Sequence, residues 1–264
     1  MNEPVVLITG ASGGIGRALA VAFASTGARV VLTANKNRAG LDAFVADSSW
    51  RNRALVVDAD VARPASLDAA MNAAVERFGR VDVCVANAGA GPPEEVPLHQ
   101  MADDRIRAVI ETNVLGAIFT ARAFLAALAR TGPRAGGPGA QIIFISSTAA
   151  RFGEAGHAEY AASKAALGGL MLSLKNEIIA LDPLGRANSV EPGWTKTAMV
   201  DLDLEADGIR RSLATMPIQR MAEPEDIAAA VVWLASPSAR HVSGQSLTVA
   251  GGMEGRVQHW PGAR

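Results

Sequence analysis

The 264-residue sequence holds one cysteine, one tyrosine and four histidines, and aromatic residues make up only 5% of it. A lone Cys84 cannot close an intramolecular disulfide, and its setting, VDVCVANAG, reads as a buried strand in which the thiol packs as a small apolar group. His99, His157, His241 and His259 have neither i,i+4 partners nor a nearby carboxylate cluster, which argues against a metal site. An excess of either charge is missing too. The formal net charge of −1 leaves no basic field for nucleic acid or anionic lipid. The longest apolar run, IAAAVVWLA at 227–235, is roughly half of the ~20 residues that span a bilayer, and the N-terminal MNEPVVLITG shows no basic-then-apolar leader. These absences predict a cytoplasmic protein whose partner is a small molecule or another copy of itself.

What is present is apolar and alternating. Hydrophobic residues make up 49% of the chain, enough to build a core between stacked layers. Short β-branched runs at 5–9, 28–33, 54–59, 81–86, 141–146, 187–191 and 246–250 alternate with alanine-rich stretches of helical spacing. Most runs are apolar throughout, as expected of parallel strands covered on both faces. The pattern predicts a Rossmann-type α/β fold, with residues 1–264 forming a single unit. The glycine and proline cluster TGPRAGGPGA (131–140) is read as a flexible surface loop.

The first strand runs straight into TGASGGIG, with Gly10, Gly14 and Gly16, and then into a helix. A strand, a glycine turn and a helix start together form a device for binding pyrophosphate, because bare backbone can approach closely and the helix amides face the anion. The spacing is GxxxGxG rather than GxGxxG. An acid about 20 residues further on would hold the ribose 2′-hydroxyl of NAD. Here the second strand ends in Ala34, Asn35, Lys36, Asn37 and Arg38, with no carboxylate before Asp42. This favours NADP(H), with Asn35, Lys36 or Arg38 near the phosphate, although each also suits an ordinary solvated loop. NAD(H) stays possible.

In EYAASKAALGGL the single Tyr160 precedes Lys164 by one helical turn, so both can point into one cleft. Moving a phenol from ~10 toward ~7 requires about 3 units, roughly 4 kcal/mol of preference for phenolate. A neighbouring cation supplies about 1 to 3 units, so a second positive charge, such as an oxidised nicotinamide, would complete the shift. A third signal coincides: QIIFISST ends a strand in Ser146 and Ser147, where ligands bind in a parallel sheet.

With TGASGGIG, DADV, ANAG, TNVLG, ISST, YAASK, EPGWTKT, PIQRMAEPEDIA and SGQSLTVAGGM in this order, the chain resembles the short-chain dehydrogenase/reductase family over nearly its whole length. The resemblance implies seven parallel strands in the order 3-2-1-4-5-6-7 and a homotetramer or homodimer. It makes Tyr160 the general acid/base, Lys164 its activator and a nicotinamide-ribose ligand, Ser147 the holder of the substrate carbonyl, and Asn113 the support of a water and proton relay. It assigns Ser12 and Ile15 to the phosphate loop and Asp60 and Val61 to adenine. Asn87, Ala88 and Gly89 would support the cofactor, and Pro192, Gly193, Thr195 and Thr197 would border nicotinamide. The implied activity is hydride transfer between NADP(H) and a ketone or secondary alcohol, most like a 3-oxoacyl thioester reductase. An NAD-dependent sugar or polyol dehydrogenase is the alternative. A non-catalytic NADP(H) sensor is the alternative of another class, against which intact Ser147, Tyr160 and Lys164 argue.

Three positions depart from the family pattern. Asn35 stands where many NADP-dependent members carry arginine. Glu191 precedes the Pro-Gly pair where a small or apolar residue is usual, and it would have to face water or pair with a cation. Ala250 replaces a frequent aspartate and is expected to affect the subunit surface. The resemblance puts a substrate lid at 198–216 and the other cleft walls at 89–99 and 150–159, with His157 and Trp194 as candidate substrate contacts. Small residues on the Tyr160 helix (Ala161, Ala165, Gly168, Gly169) suit close packing, either between subunits or within one chain.

Overall fold

In the computed structural model the described residues are 3–92, 94–197 and 212–255. The β-branched runs pair into one seven-stranded sheet: β1 (Val5–Ile8), β2 (Arg29–Ala34), β3 (Ala54–Asp58), β4 (Val83–Ala86), β5 (Gln141–Ile145), β6 (Arg186–Pro192) and β7 (Ser246–Val249). Their order is β3-β2-β1-β4-β5-β6-β7, and every pairing is parallel. Side chains alternate across a strand, so Val5 and Leu7 of β1 enter one core while Val6 and Ile8 enter the other. That is why these strands are apolar along their whole length rather than alternating.

The first core is closed by α3 (Pro64–Phe78), α5 (Gly116–Thr131) and α7 (Ala158–Glu177), which contribute Leu67, Met71, Phe124, Leu128, Met171 and Leu174. The second is closed by α1 (Gly14–Ser25), α2 (Arg38–Ala46) and α8 (Pro224–Ala235), with Leu19, Phe23, Leu41, Ile227, Val231 and Leu234. The alanine-rich sequence lets α1 and α8 pack side by side on that face.

Two helices escape the periodicity argument. α2 buries only Leu41 and Val45, and α6 (Ala149–Phe152) is a single turn. The expected continuous helix after residue 101 is also modified. α4 (Asp103–Ile110) and α5 are joined by a π-helical turn, Glu111–Leu115, which carries Asn113. The whole stretch Asp103–Thr131 is long and apolar enough by composition to cross a bilayer, but half of its most apolar window is buried inside this chain, as in a core helix.

The loop at 131–140 is anchored rather than loose. Arg134 reaches back to the buried carboxylate of Asp82 (Nε to Oδ1 3.0 Å, Nη2 to Oδ2 2.5 Å), which also accepts from Arg80 Nε (2.8 Å) and from the Val5 amide (2.8 Å). This ties the loop to the amino end of the sheet, opposite the ligand side. On the ligand side the strand order reverses between β1 and β4, and a crevice opens at such a switch point.

Candidate active site

The glycine loop meets the crevice first. Gly10 has φ +64°, and a Cβ there would come within 2.8 Å of Ala88 Cα. A Cβ on Gly16 would sit 2.4 Å from Gly10 O, so the turn closes only with bare backbone. Gly13 precedes α1 in extended conformation without a side-chain cap, and the first turn carries no acid. The amides of that turn, from Gly14, Ile15 and Gly16, have no intrahelical acceptor, which suits a bound anion. Across the crevice the Thr197 methyl lies 3.0 Å from where a Gly14 Cβ would be. These features fit a dinucleotide pyrophosphate.

Thr9, which the sequence reading passed over, holds the floor. Its hydroxyl accepts from the amides of Asn87 and Ala88 (3.0 Å each), while Asn87 Nδ2 donates to the carbonyls of Thr9 (2.8 Å) and Gly10 (3.1 Å). A polar residue ending an apolar strand was the available signal. Further along the crevice the Asp60 carboxylate accepts from the Ala62 amide and pairs with Arg63, and Val61 is buried against Gly116. Only the main chain of Val61 is therefore free to face adenine. At the end of β2, Arg38 is held between Asp42 (2.8 Å) and Asp58 (3.0 Å), and Asn37 caps α2 through the Gly40 amide. Asn35 and Lys36 remain exposed.

The serine pair divides its work. Ser146 Oγ donates to Lys164 O (2.9 Å), pinning α7 to the end of β5, whereas Ser147 lines a cavity with Tyr160. Lys164 is buried; its Nζ donates to Ile145 O (2.9 Å) and stands 5.8 Å from the Tyr160 ring centroid. A Cβ on Gly89 would come within 3.0 Å of that Nζ and 3.3 Å of Asn113 Oδ1, so Gly89 leaves room for both groups. Asn113 is fixed by the Ala90 amide and carbonyl (2.7 and 2.9 Å) and by Ser163 Oγ (2.9 Å), which itself donates to Tyr160 O (2.7 Å). Ser163 was legible only as the polar one of the three residues between Tyr160 and Lys164.

The ionisation of the pair differs from the expectation. Burial raises the Tyr160 phenol above its ordinary value; hydrogen bonding with Ser147 pulls it down, and the Glu154 carboxylate pushes it up again. Burial also pushes the Lys164 ammonium down to about 8. The lysine does not make the phenol acidic in the chain alone, because its ammonium is itself desolvated and directed at a carbonyl.

Glu191 is explained by two partners. Its buried carboxylate accepts from Arg151 Nε (3.1 Å) and Thr248 Oγ1 (2.9 Å), clamping α6 to the carboxyl end of the sheet. Next to it, Thr148 N donates to Pro192 O (2.9 Å) and Thr195 Oγ1 to Gly193 O (2.9 Å). Ala250 corrects the sequence expectation: it is buried, and a Cβ on Gly193 would lie 2.7 Å from its methyl, so it packs under the Pro-Gly turn instead of at a subunit surface. Both His157 and Trp194 line the cavity. Of the expected lid, residues 198–211 lie outside the described residues; within 212–216, Ser212 and Met216 are buried.

A parallel sheet with a phosphate-ready turn and, at its carboxyl end, a half-buried serine and tyrosine over a buried lysine defines a dinucleotide-dependent oxidoreductase architecture. The comparisons agree. Residues 10–254 match the family described as Enoyl-(Acyl carrier protein) reductase. The chain is 38% identical over 260 residues to L-rhamnose 1-dehydrogenase (NAD(P)(+)) of Azotobacter vinelandii, covering 95% of this chain and 96% of that one. It is 34% identical over 254 residues to a 3-oxoacyl-acyl-carrier-protein reductase of Vibrio cholerae, covering 96% and 98%. The crystal structure of a 3-ketoacyl-acyl-carrier-protein reductase from Brucella melitensis complexed with NADH superposes with a TM-score of 0.84 at 29% identity, over 96% of this chain and 99% of that one. The chain belongs to the short-chain dehydrogenase/reductase family and is an NAD(P)-dependent oxidoreductase acting on CH–OH or carbonyl groups.

Proposed function

We propose that the protein interconverts a ketone and a secondary alcohol, with Ser147, Tyr160 and Lys164 as its catalytic residues. The observation that carries this reading is the placement of Ser147 and Tyr160 in one cavity, with the Lys164 ammonium beneath the phenol. NADP(H) or NAD(H), held by the glycine turn and the residues named below, would supply or accept the hydride and, in its oxidised form, would bring a positive charge to the site. Ser147 Oγ donates to the substrate oxygen and holds it. In oxidation Tyr160 Oη takes the O–H proton while the C–H bond breaks and its electron pair leaves as hydride, so that C=O forms. In reduction Tyr160 returns that proton to oxygen. Lys164 and Asn113 meet at Gly89, where they can connect the phenol to a proton route. Ser12, Gly14, Ile15 and Gly16 take the pyrophosphate; Asp60 and the Val61 main chain take adenine; Asn87, Ala88, Gly89, Pro192, Gly193, Thr195 and Thr197 frame the nicotinamide half.

NADP(H) is favoured, because Lys36 is an exposed cation at the end of β2 and no carboxylate stands between that end and Asp42. Arg38 is instead engaged by Asp42 and Asp58. NAD(H) is accepted by the same surface. Both substrate classes that the resemblance suggests, 3-oxoacyl thioesters and sugars, stay within this reading, and relatives of each kind match the chain. Assembly as a homotetramer or homodimer in the cytoplasm completes the proposal. In support of the assembly, a Cβ on Gly168 or Gly169 would meet none of the described residues within 4 Å, and Leu172 beside them is exposed.

Tyr160→Phe tests the reading. Turnover is expected to fall by about 10²- to 10⁴-fold while the cofactor dissociation constant, measured by fluorescence titration, changes little. Retained turnover would refute it.

A further inference from the structure

The cavity in front of Ser147 and Tyr160 encloses about 390 Å³. Its lining joins two aromatic side chains, Phe152 and Trp194, to the carboxylates of Glu95 and Glu154 and to His157. Phe152 keeps 38% of its surface exposed, although burying aromatic surface is favourable. Glu154 is half-buried, and no described side chain donates a hydrogen bond to it or pairs with it as an ion. The cations nearby are otherwise directed: Arg105 bonds the buried Glu159 (2.8 Å) and lies 3.4 Å from His157 Nδ1. The Glu154 charge nevertheless reaches the Tyr160 hydroxyl, where it opposes ionisation. A partly desolvated carboxylate without protein donors must take them from water or from a ligand, and a ligand that displaces the water has to replace them.

We infer that Glu154 accepts hydrogen bonds from hydroxyl groups of the substrate and selects a neutral polyhydroxylated alcohol of monosaccharide type. The inference rests on the hydride-transfer reading above and names its substrate class. An ionised carboxylate accepts through two oxygens and can hold neighbouring hydroxyls together. Aromatic rings match the apolar C–H face of a sugar ring. The acyl part of a 3-oxoacyl thioester brings no donors beside the reacting carbonyl and leaves Glu154 unpaired there, and anionic substrates are repelled by Glu95 and Glu154 together.

The test is kcat/KM with saturating NADP⁺ or NAD⁺ for cyclohexanol, cis-1,2-cyclohexanediol, D-glucose, D-galactose, L-rhamnose, 2-aminocyclohexanol and a 3-hydroxybutyryl thioester. In the unmodified protein a polyol is expected to be the best substrate. In Glu154→Gln the ratio of kcat/KM for that polyol to kcat/KM for cyclohexanol is expected to fall by about 10- to 100-fold, chiefly through KM. Glu154→Asp should restore part of it. A ratio unchanged within about threefold, or the thioester or amino alcohol as best substrate, overturns the inference while leaving hydride transfer intact. No oxidation of any of these alcohols, and no reduction of their ketones, overturns the reading beneath it as well.

Discussion

Lys164 offers a direct test of how the site is built, because its burial has a thermodynamic signature. Its ammonium is pushed from 10.5 down to about 8 by desolvation. The unfolded chain restores the ordinary value. Between about pH 8 and pH 10.5 the unfolded state therefore binds more protons, and stability rises with pH across that window. For a folded value near 8, the gain from pH 7 to pH 9 is about 1.3 kcal/mol. Urea unfolding of the native protein and of Lys164→Met at pH 7, 8 and 9 isolates it, since shared groups cancel in the difference. Tyr160, the titratable group facing the ammonium, is raised above its ordinary value and stays protonated throughout. The stability of the native protein relative to Lys164→Met should grow by about 1.3 kcal/mol over those two pH units. A difference constant to about 0.3 kcal/mol, or one that shrinks, would mean that the lysine is well hydrated, and the proposed placement beneath the phenol would fail.

Other expectations follow from neighbouring contacts. Because the Glu154 charge raises the phenol, Glu154→Gln should move the rising limb of the oxidation pH profile to lower pH, with Glu95, Glu159, His157, Arg105 and Lys164 left in place around it; an unmoved limb would place that charge elsewhere. Asp82→Asn leaves Arg80 and Arg134 without their carboxylate and should cost about 2–3 kcal/mol in urea unfolding, with faster proteolysis in the 131–140 loop. Gly16→Ala forces a methyl to 2.4 Å from Gly10 O and should weaken NADPH binding by more than about tenfold in fluorescence titration, through distortion of the turn. Lys36→Glu should shift the ratio of dissociation constants toward NADH by about tenfold, and an unchanged ratio would place the ribose phosphate elsewhere.

The strands were legible because a fully covered parallel sheet demands uninterrupted apolar runs, and all seven lie where those runs predict them. Helices with a broad apolar face were equally readable. α2 and α6 were not, since one buries two side chains and the other is a single turn. The loop at 131–140 looked flexible by composition, yet Arg134 and Asp82, 52 residues apart, hold it. Glu191 had no account in one dimension because its partners, Arg151 and Thr248, come from different elements 40 and 57 residues away.

Order along the chain was therefore enough for the alternation of strand and helix, the bare turn before α1 and the spacing that puts Tyr160 and Lys164 on one helical face. These depend on local geometry, which a linear pattern encodes. The tertiary structure decided which serine faces the cavity, that Arg38 pairs with Asp58 from β3, that burial sets the charge of Lys164, and that Glu154 stands beside the phenol with no hydrogen-bond donor among the described side chains. Each of these is a matter of desolvation or long-range pairing, whose energy depends on what surrounds a group in space and not on its neighbours in sequence.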